Sequence, residues 1–446
     1  MLTTRYSLAL LALIGSTACD TTTPRDPVES DIPISEATQT AAVGPYYVPT
    51  TLGVTPGRAL AINNKGQVIL RTPSSGFIWQ NGVFRNLGSL GGGFTSPQAL
   101  NEAGQVVGDS YTSAGDAHAF LWQNGVMRDL GTLGAPFQSG QVLSSATGIN
   151  AVGQIVGWAP TSADLIGSRR AFLWENGRMT RLASLDRGFS MATGINAVRR
   201  VVGQFGSPNG KAFRWQDGVV RSLGTLGGTS SSASAISGGR IVGWSFNASG
   251  QQRGFLWQSG VMTNLGTLGG DFSTANGINS LGQVVGSSRT AGSNSILAFV
   301  WENGVMTNVG VGEAYGINRN GWIVGARPNP RTTRSLEPLP TLWKPSATPP
   351  ATPVGSILVG NNWFYSERNG SVRPTVDTVP VGTTVTWEWI NQGGHNVRSI
   401  GSPGFTSSPD IGTRGGKYRV TFPRAGTYQY NCSIHATVMT GRVVVK

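Results

Sequence analysis

The stretch Ala275–Gly312, ANGINSLGQVVGSSRTAGSNSILAFVWENGVMTNVGVG, decides the fold of most of this chain. Its apolar residues come in four short bursts separated by turn residues. The segment around Gly277-Ile278-Asn279 reads as a short strand running into a Ser280-Leu281-Gly282 turn, and Gln283–Gly286 as the strand that returns. Ala298–Trp301 reads as a third strand. Glu302-Asn303-Gly304 reads as a tight hairpin, because Asn-Gly supplies the positive φ angles such a turn needs. Val305–Val309 is the fourth strand.

The phrase recurs along the chain. Its tryptophan stands at Trp79, Trp122, Trp174, Trp215, Trp257, Trp301 and Trp343. An Ile-Asn-like turn precedes each one, and in most units a Val-Gly ending follows that turn. LGTLGG or a close variant, read as a strand, follows several, as at Leu223–Gly228 and Leu265–Gly270. Four antiparallel strands in about 42 residues match one blade of a β-propeller. The expectation is therefore all-β: a seven-bladed β-propeller of four-stranded blades over 45–345, with an open β-solenoid as the alternative. The phrase resembles the HAF-type extracellular repeat family from roughly Pro45 to Pro345. After Trp343 the pattern breaks at Lys344-Pro345, while an orphan TLGV stands at Thr51–Val54. The N-terminal strand is thus expected to complete the last blade and leave no exposed edge at the seam. The repeated Trp, Phe and Leu read as packing between blades.

Composition agrees. A length of 446 residues exceeds one ordinary domain of ~100–200. Charged residues are 12% against a usual ~25%, and Gly counts 64, which suits short strands and turns and argues against helical bundles. Apolar content of 39% argues against wholesale disorder. The net charge is +13, but the basic residues are scattered, so no nucleic-acid partner is read from it. A basic exterior remains suited to an anionic envelope surface or an acidic partner. Three histidines and two cysteines exclude a disulfide scaffold, a multinuclear copper cluster and a cysteine-rich zinc site.

The first residues, MLTTRYSLALLALIGSTAC, carry Arg5, an apolar run at Leu8–Ile14 and small residues before Cys19. Residues 1–19 read as an export signal. The segment resembles a bacterial lipobox with Cys19 as the lipidated residue, departing from it at Ser16, where that family usually has Leu. Ordinary cleavage after Ala18 stays open. Residues 20–44 read as a disordered tether. Either way the protein is expected to be exported, periplasmic or at the cell surface. Lipid on Cys19 would join it to a membrane.

KPSATPPATPVGS, Lys344–Ser356, marks a Pro/Ala/Thr linker at 346–355. The strand-like runs from 356 to 446 suit a Greek-key sandwich. Two of the three histidines and the second cysteine fall there, in the order His395, Cys432, His435, followed by Met439. Thiolate and thioether favour reduced copper and imidazole serves both oxidation states, so this donor mix suits a one-electron copper couple. GGHNV at Gly393–Val397 and YQYNCSIHATVMTGRVVV at Tyr428–Val445 resemble the plastocyanin/azurin-type cupredoxins. The resemblance implies one type 1 copper bound by His395, Cys432, His435 and Met439. It also implies that Asn396 braces the cysteine loop and that the Gly394 carbonyl lies near the metal. Zinc is disfavoured because Met is a poor zinc ligand.

A single cysteine excludes a binuclear centre. It therefore excludes the chemistry of nitrous oxide reductases, which also join a propeller to a cupredoxin domain. His118 in the repeats reads as an ordinary satisfied imidazole, and no catalytic constellation accompanies it. The function implied is electron transfer with an unidentified redox protein partner, not enzyme catalysis. His435 would be the exit under an apolar patch of Ala436, Thr437 and Val438, and the propeller a docking or spacing platform. The alternatives are an envelope copper-buffering protein, or a propeller that binds an envelope or cell-surface ligand with an accessory copper domain.

Overall fold

The computed structural model describes residues 46–53, 56–134, 143–161, 169–182, 185, 188–291, 295–329, 337–347, 356–360, 364–366, 374–435 and 438–446. The expected signal, Cys19, the tether and most of the 346–355 linker lie outside the described residues. Every regular element among the described residues is a strand.

The quoted unit forms four strands, Gly269–Ile278, Val284–Thr290, Ile296–Glu302 and Val305–Val311, paired in that order as one antiparallel sheet. Asn303 and Gly304 take φ of 50° and 88°, the conformation of a two-residue hairpin turn. The Val-Gly ending is steric: a Cβ on Gly286 would collide with the Thr274 carbonyl oxygen, where the partner strand bulges between Ala275 and Gly277. The repeat region contains seven such four-stranded sheets among the described residues.

The core lies between consecutive sheets. Val242, Leu256 and Leu265 of one unit pack with Ala275, Phe299 and Trp301 of the next. Phe299 is fully buried, which is worth about 1.5–3 kcal/mol relative to exposure. No sheet can bury its apolar face alone, so each depends on its neighbour. One expectation needs correction. LGTLGG is not a strand of its own; the fourth strand stops at Asn264 and the next sheet starts at Gly269. Gly266 and Gly269 both take positive φ and break the extended run. The phrase is the crossing between sheets, with Leu265 and Leu268 buried as its plugs.

The Ile-Asn turn has a physical reason. Asn279 Oδ1 accepts the backbone N–H groups of Leu281 and Gln283, both at 3.0 Å, and so closes its own turn. Its Nδ2 donates to Asn318 O of the following unit at 3.0 Å. The same side chain therefore shapes one sheet and pins the next. Asn63, Asn101 and Asn150 donate likewise to the carbonyls of Asn101, Asn150 and Asn196. Asn318 of the last unit donates to Asn63 O of the first, at 3.1 Å. The fifth unit, with Ser237-Gly238-Gly239 at this turn, has no such amide to give.

The N-terminal strand Tyr46–Thr51 pairs antiparallel with Pro338–Ser346, with Pro49 opposite Trp343. Residues from the start of the repeat region thus supply the fourth strand of its last sheet. Pro338–Ser346 runs one residue into the expected linker.

The C-terminal domain has strands β1 (Ser356–Val359), β2 (Phe364–Ser366), β3 (Thr375–Val379), β4 (Thr383–Trp389), β5 (Arg398–Ile400), β6 (Lys417–Phe422), β7 (Gly426–Asn431) and β8 (Thr440–Val445). They form two sheets, ordered β2-β1-β4-β6 and β3-β8-β7-β5. β1 runs parallel to β4, and β3 to β8. Between the sheets lies one core containing Phe364, Trp387, Trp389 and Tyr430. This is a cupredoxin sandwich. Period-two alternation directs Val385, Trp387 and Trp389 of β4 inward. The same alternation buries Tyr428 and Tyr430 of β7, and the next inward position is Cys432.

Deleting 46–51 removes a six-residue ladder and leaves Pro338–Ser346 with a free edge. The repeat region should then unfold about 5–10 °C lower and aggregate more readily, as read by calorimetry and light scattering. An unchanged transition contradicts the role given to this strand.

Candidate metal centre

Three segments bring the donors together. Cys432 directly follows β7 and is fully buried. His395 lies between β4 and β5 and is 3% exposed. It is held by an isolated antiparallel bridge, with His395 N–H donating to Ile411 O at 3.3 Å and Ile411 N–H to His395 O at 2.9 Å. His435 and Met439 come from the loop after Cys432, which the backbone closes on itself. His435 N–H donates to Cys432 O, Met439 N–H to His435 O, and Cys432 N–H to Met439 O, at 2.9–3.1 Å.

Cys432 Sγ stands 3.8 Å from His395 Nδ1 and 3.8 Å from His435 Nδ1. The three donor atoms lie within 4.8 Å of one another, and the two imidazole rings are 5.0 Å apart. Burial first, and then the neighbouring His435, push the His395 imidazole below its ordinary value. It therefore stays neutral at physiological pH, as a metal ligand must.

The donor set fits a small first-row ion. A thiolate bond of about 2.3 Å and an imidazole bond of about 2.0 Å place S and N about 3.7 Å apart at a trigonal angle and about 3.5 Å apart at a tetrahedral one. The observed separations are of the size that one ion shared by a sulfur and two imidazoles requires, and that donor set suits copper. Met439 is fully buried at the base of the loop, its carbonyl bonded to Cys432. Of the expected donors, His395, Cys432 and His435 cluster, and Met439 closes the same loop.

A second set of bonds ties the segments. Asn396 Oδ1 accepts Ser433 N–H at 2.8 Å, and its Nδ2 donates to Ser433 Oγ at 2.6 Å and Asp410 Oδ1 at 2.7 Å. The residue after one ligand is thus bonded to the residue after another, and Asp410 sits beside the Ile411 that pins His395. Asp410 and Ser433 carried no signal in the sequence, since only the fold brings them to Asn396. Gly394 precedes His395, and a Cβ on it would meet Ile434 Cδ1 at 3.7 Å. His118 is apart from the cluster, its Nδ1 2.7 Å from Asp129 Oδ2.

Around His435, which is itself partly exposed, Val438 is 46% exposed. Ala436 and Thr437 of the expected patch lie outside the described residues. Ile434, next to His435 in the chain, is 53% exposed and carried no signal in the sequence.

Residues 373–446 match the family of copper binding proteins of the plastocyanin/azurin type. This part of the chain is a plastocyanin/azurin-type copper-binding domain, and copper is its cofactor. A halocyanin from Natronomonas pharaonis is 39% identical over 90 residues, which are 20% of this chain and 52% of the relative. The chain thus spans about half the length of that curated relative. Among solved structures, a purple cupredoxin from Nitrosopumilus maritimus is 32% identical, covering 21% of this chain and 99% of that one at a TM-score of 0.17. A mutant amicyanin in its reduced copper(I) form is also 32% identical, covering 21% of this chain and 83% of that one at a TM-score of 0.16.

Folding holds His395 below its unfolded value, so the unfolded chain takes up that proton first. The stability His395 contributes is complete above about pH 6.5 and is lost as pH falls through the lower folded value. The metal-free C-terminal domain should therefore melt at lower temperature at about pH 5 than at about pH 7.5, and His395→Gln should flatten the difference. An equal slope in the variant contradicts the assignment.

Proposed function

We propose that the chain is an exported electron carrier with one type 1 copper. His395 Nδ1, Cys432 Sγ and His435 Nδ1 are its principal ligands, and Met439 is a weaker fourth. The observation that carries this reading is the pair of equal 3.8 Å separations between a buried thiol sulfur and two imidazole nitrogens. Bound copper supplies a one-electron couple. The protein's part is to hold its donors still, so that little rearranges when the charge changes. The bonds from Asn396 to Ser433 and Asp410, and the bridge between His395 and Ile411, support that role.

His435 is the proposed exit for the electron. Its loop offers Ile434 and Val438 to a redox protein partner, and exposed apolar surface of this kind favours docking. No bond to substrate is made or broken in this reading, which makes the protein a carrier and not an enzyme.

The seven sheets of 45–345 form, in our reading, a closed seven-bladed propeller. The pairing of Tyr46–Thr51 with Pro338–Ser346 and the Asn318-to-Asn63 bond support closure. The propeller would serve as a docking or spacing platform, joined by the 346–355 linker to the copper domain of 356–446. The export signal at 1–19, the tether at 20–44 and a lipid on Cys19 would set it at the outer face of a membrane.

Cys432→Ser should abolish the intense thiolate-to-copper absorption while leaving the sandwich folded. Met439→Leu should keep the colour and raise the reduction potential, because Cu(II) gains more than Cu(I) from an additional weak axial donor, so its loss destabilises the oxidised ion more. Visible spectroscopy and potentiometry read both. Colour surviving Cys432→Ser rejects the ligand set. A Met439→Leu protein with unchanged spectrum and potential rejects the fourth ligand.

A further inference from the structure

The apolar side chains that the repeat region leaves in solvent are gathered at one end of its sheets. In a four-stranded antiparallel sheet, the turn between the first two strands and the turn between the last two lie at the same end. Val152, Val198 and Leu281 stand on the asparagine turn, and Val83, Val126, Val219 and Val261 directly follow the hairpin glycine. All of these are 55–74% exposed. Val48 holds the same place in the last sheet, opposite Lys344 as Val83 is opposite Gln80. Towards the other end, Tyr111 is the only exposed large apolar residue among those described in the repeats.

The turns meet at one level. Asn63, Asn101, Asn150 and Asn196 each donate to a turn carbonyl of the following unit, Asn279 donates to Asn318, and Asn318 to Asn63. Between the fifth and sixth units, where that amide is missing, a Cβ on Gly282 would meet Arg240 Nη1 at 3.5 Å. The tips therefore share one surface. Core packing does not require them, because they are exposed. β-Propensity accounts for valine in an outer strand, but a turn tip ordinarily takes Gly, Asn, Asp or Ser, so Val152, Val198 and Leu281 run against turn chemistry. Exposed apolar residues scattered singly need no explanation, whereas a set confined to one end does.

Charge narrows the occupant. Each carboxylate of these turns is engaged: Glu102 accepts from Asn64, Glu302 from Gln283, and Glu175 and Asp217 from Arg199. Lys65, Arg178 and Arg319 on the same turns are exposed, with no side-chain partner among the described residues. Short aliphatic tips spread among unpaired cations suit a broad, fluid, anionic surface. A protein partner is met instead by aromatic anchors clustered at one centre. The described chain also begins at this end, with Tyr46 opposite Ser346. The expected tether and Cys19 precede Tyr46, so a lipid on Cys19 would draw this end towards the bilayer. We propose that this end of the repeat region rests on a membrane of anionic lipids, with the tips in the headgroup layer and the cations on phosphate. The proposal rests on the reading of the chain as exported and set at a membrane, and is independent of the copper site.

The test uses the copper-loaded chain from residue 19 onward, the form either processing route leaves, with Cys19→Ser so that no lipid contributes. It is sedimented with vesicles of equal parts phosphatidylglycerol and phosphatidylethanolamine, and with vesicles of phosphatidylcholine. Binding to the anionic vesicles should saturate, weaken with salt and exceed that to phosphatidylcholine by about tenfold or more. Val152→Ser, Val198→Ser and Leu281→Ser together should weaken it by about tenfold or more. Lys65→Gln, Arg178→Gln and Arg319→Gln together should do the same and remove most of the salt dependence. Melting temperature and blue absorption should stay unchanged in both, and Tyr111→Ser, towards the other end, should bind as the parent does. Absence of binding to the anionic vesicles overturns the proposal, as does binding that both triple variants retain. Equal binding to phosphatidylcholine overturns the anionic surface. Self-association without vesicle binding, lost in the same variants, gives the surface to a second copy and overturns the proposal as well. Failure of the export reading shows itself separately, as a full chain that keeps residues 1–19 and stays inside the cell.

Discussion

The C-terminal domain depends on holding one sulfur between two imidazole nitrogens at the edge of its core. Cys432 packs with Trp387, Trp389, Tyr430 and Met439, His395 beside it is 3% exposed, and His435 is partly exposed. Burying such groups costs free energy unless something satisfies them. The chain accepts that cost and adds restraints to it. β7 carries the cysteine inward by simple alternation. The loop to Met439 is closed by its own backbone, and Asn396 bonds the histidine segment to the cysteine segment. A shared metal ion is the partner that repays the arrangement, and the donor types select copper.

The repeat region solves a different problem with one amide. Each sheet alone is a two-faced ribbon with no core. The turn asparagine closes its hairpin and reaches the next carbonyl, so local turn chemistry and long-range assembly use the same side chain.

Much of this was legible in the sequence because the signals were local. Asn-Gly fixed the hairpins, and the recurring tryptophan marked the units. Cys432, His435 and Met439 are close in sequence, and His395 was legible because histidine is scarce here. Other features depend on the chain meeting itself at a distance. Asp410 and Ser433 reach Asn396 only through the fold, and nothing in their local sequence points there. LGTLGG reads as a strand by composition, yet its glycines turn it into a crossing. Ile434 escaped notice because exposure, and not residue type, gives it its place beside His435.

The most direct measurement is the visible and electron-spin-resonance spectrum of the oxidised, copper-loaded protein, with copper counted per chain. The account predicts one ion per chain, an intense thiolate-to-copper band and a narrow copper hyperfine splitting of strongly covalent sulfur ligation. A colourless protein with the wide splitting of ordinary tetragonal copper, or no stoichiometric copper at all, would contradict it.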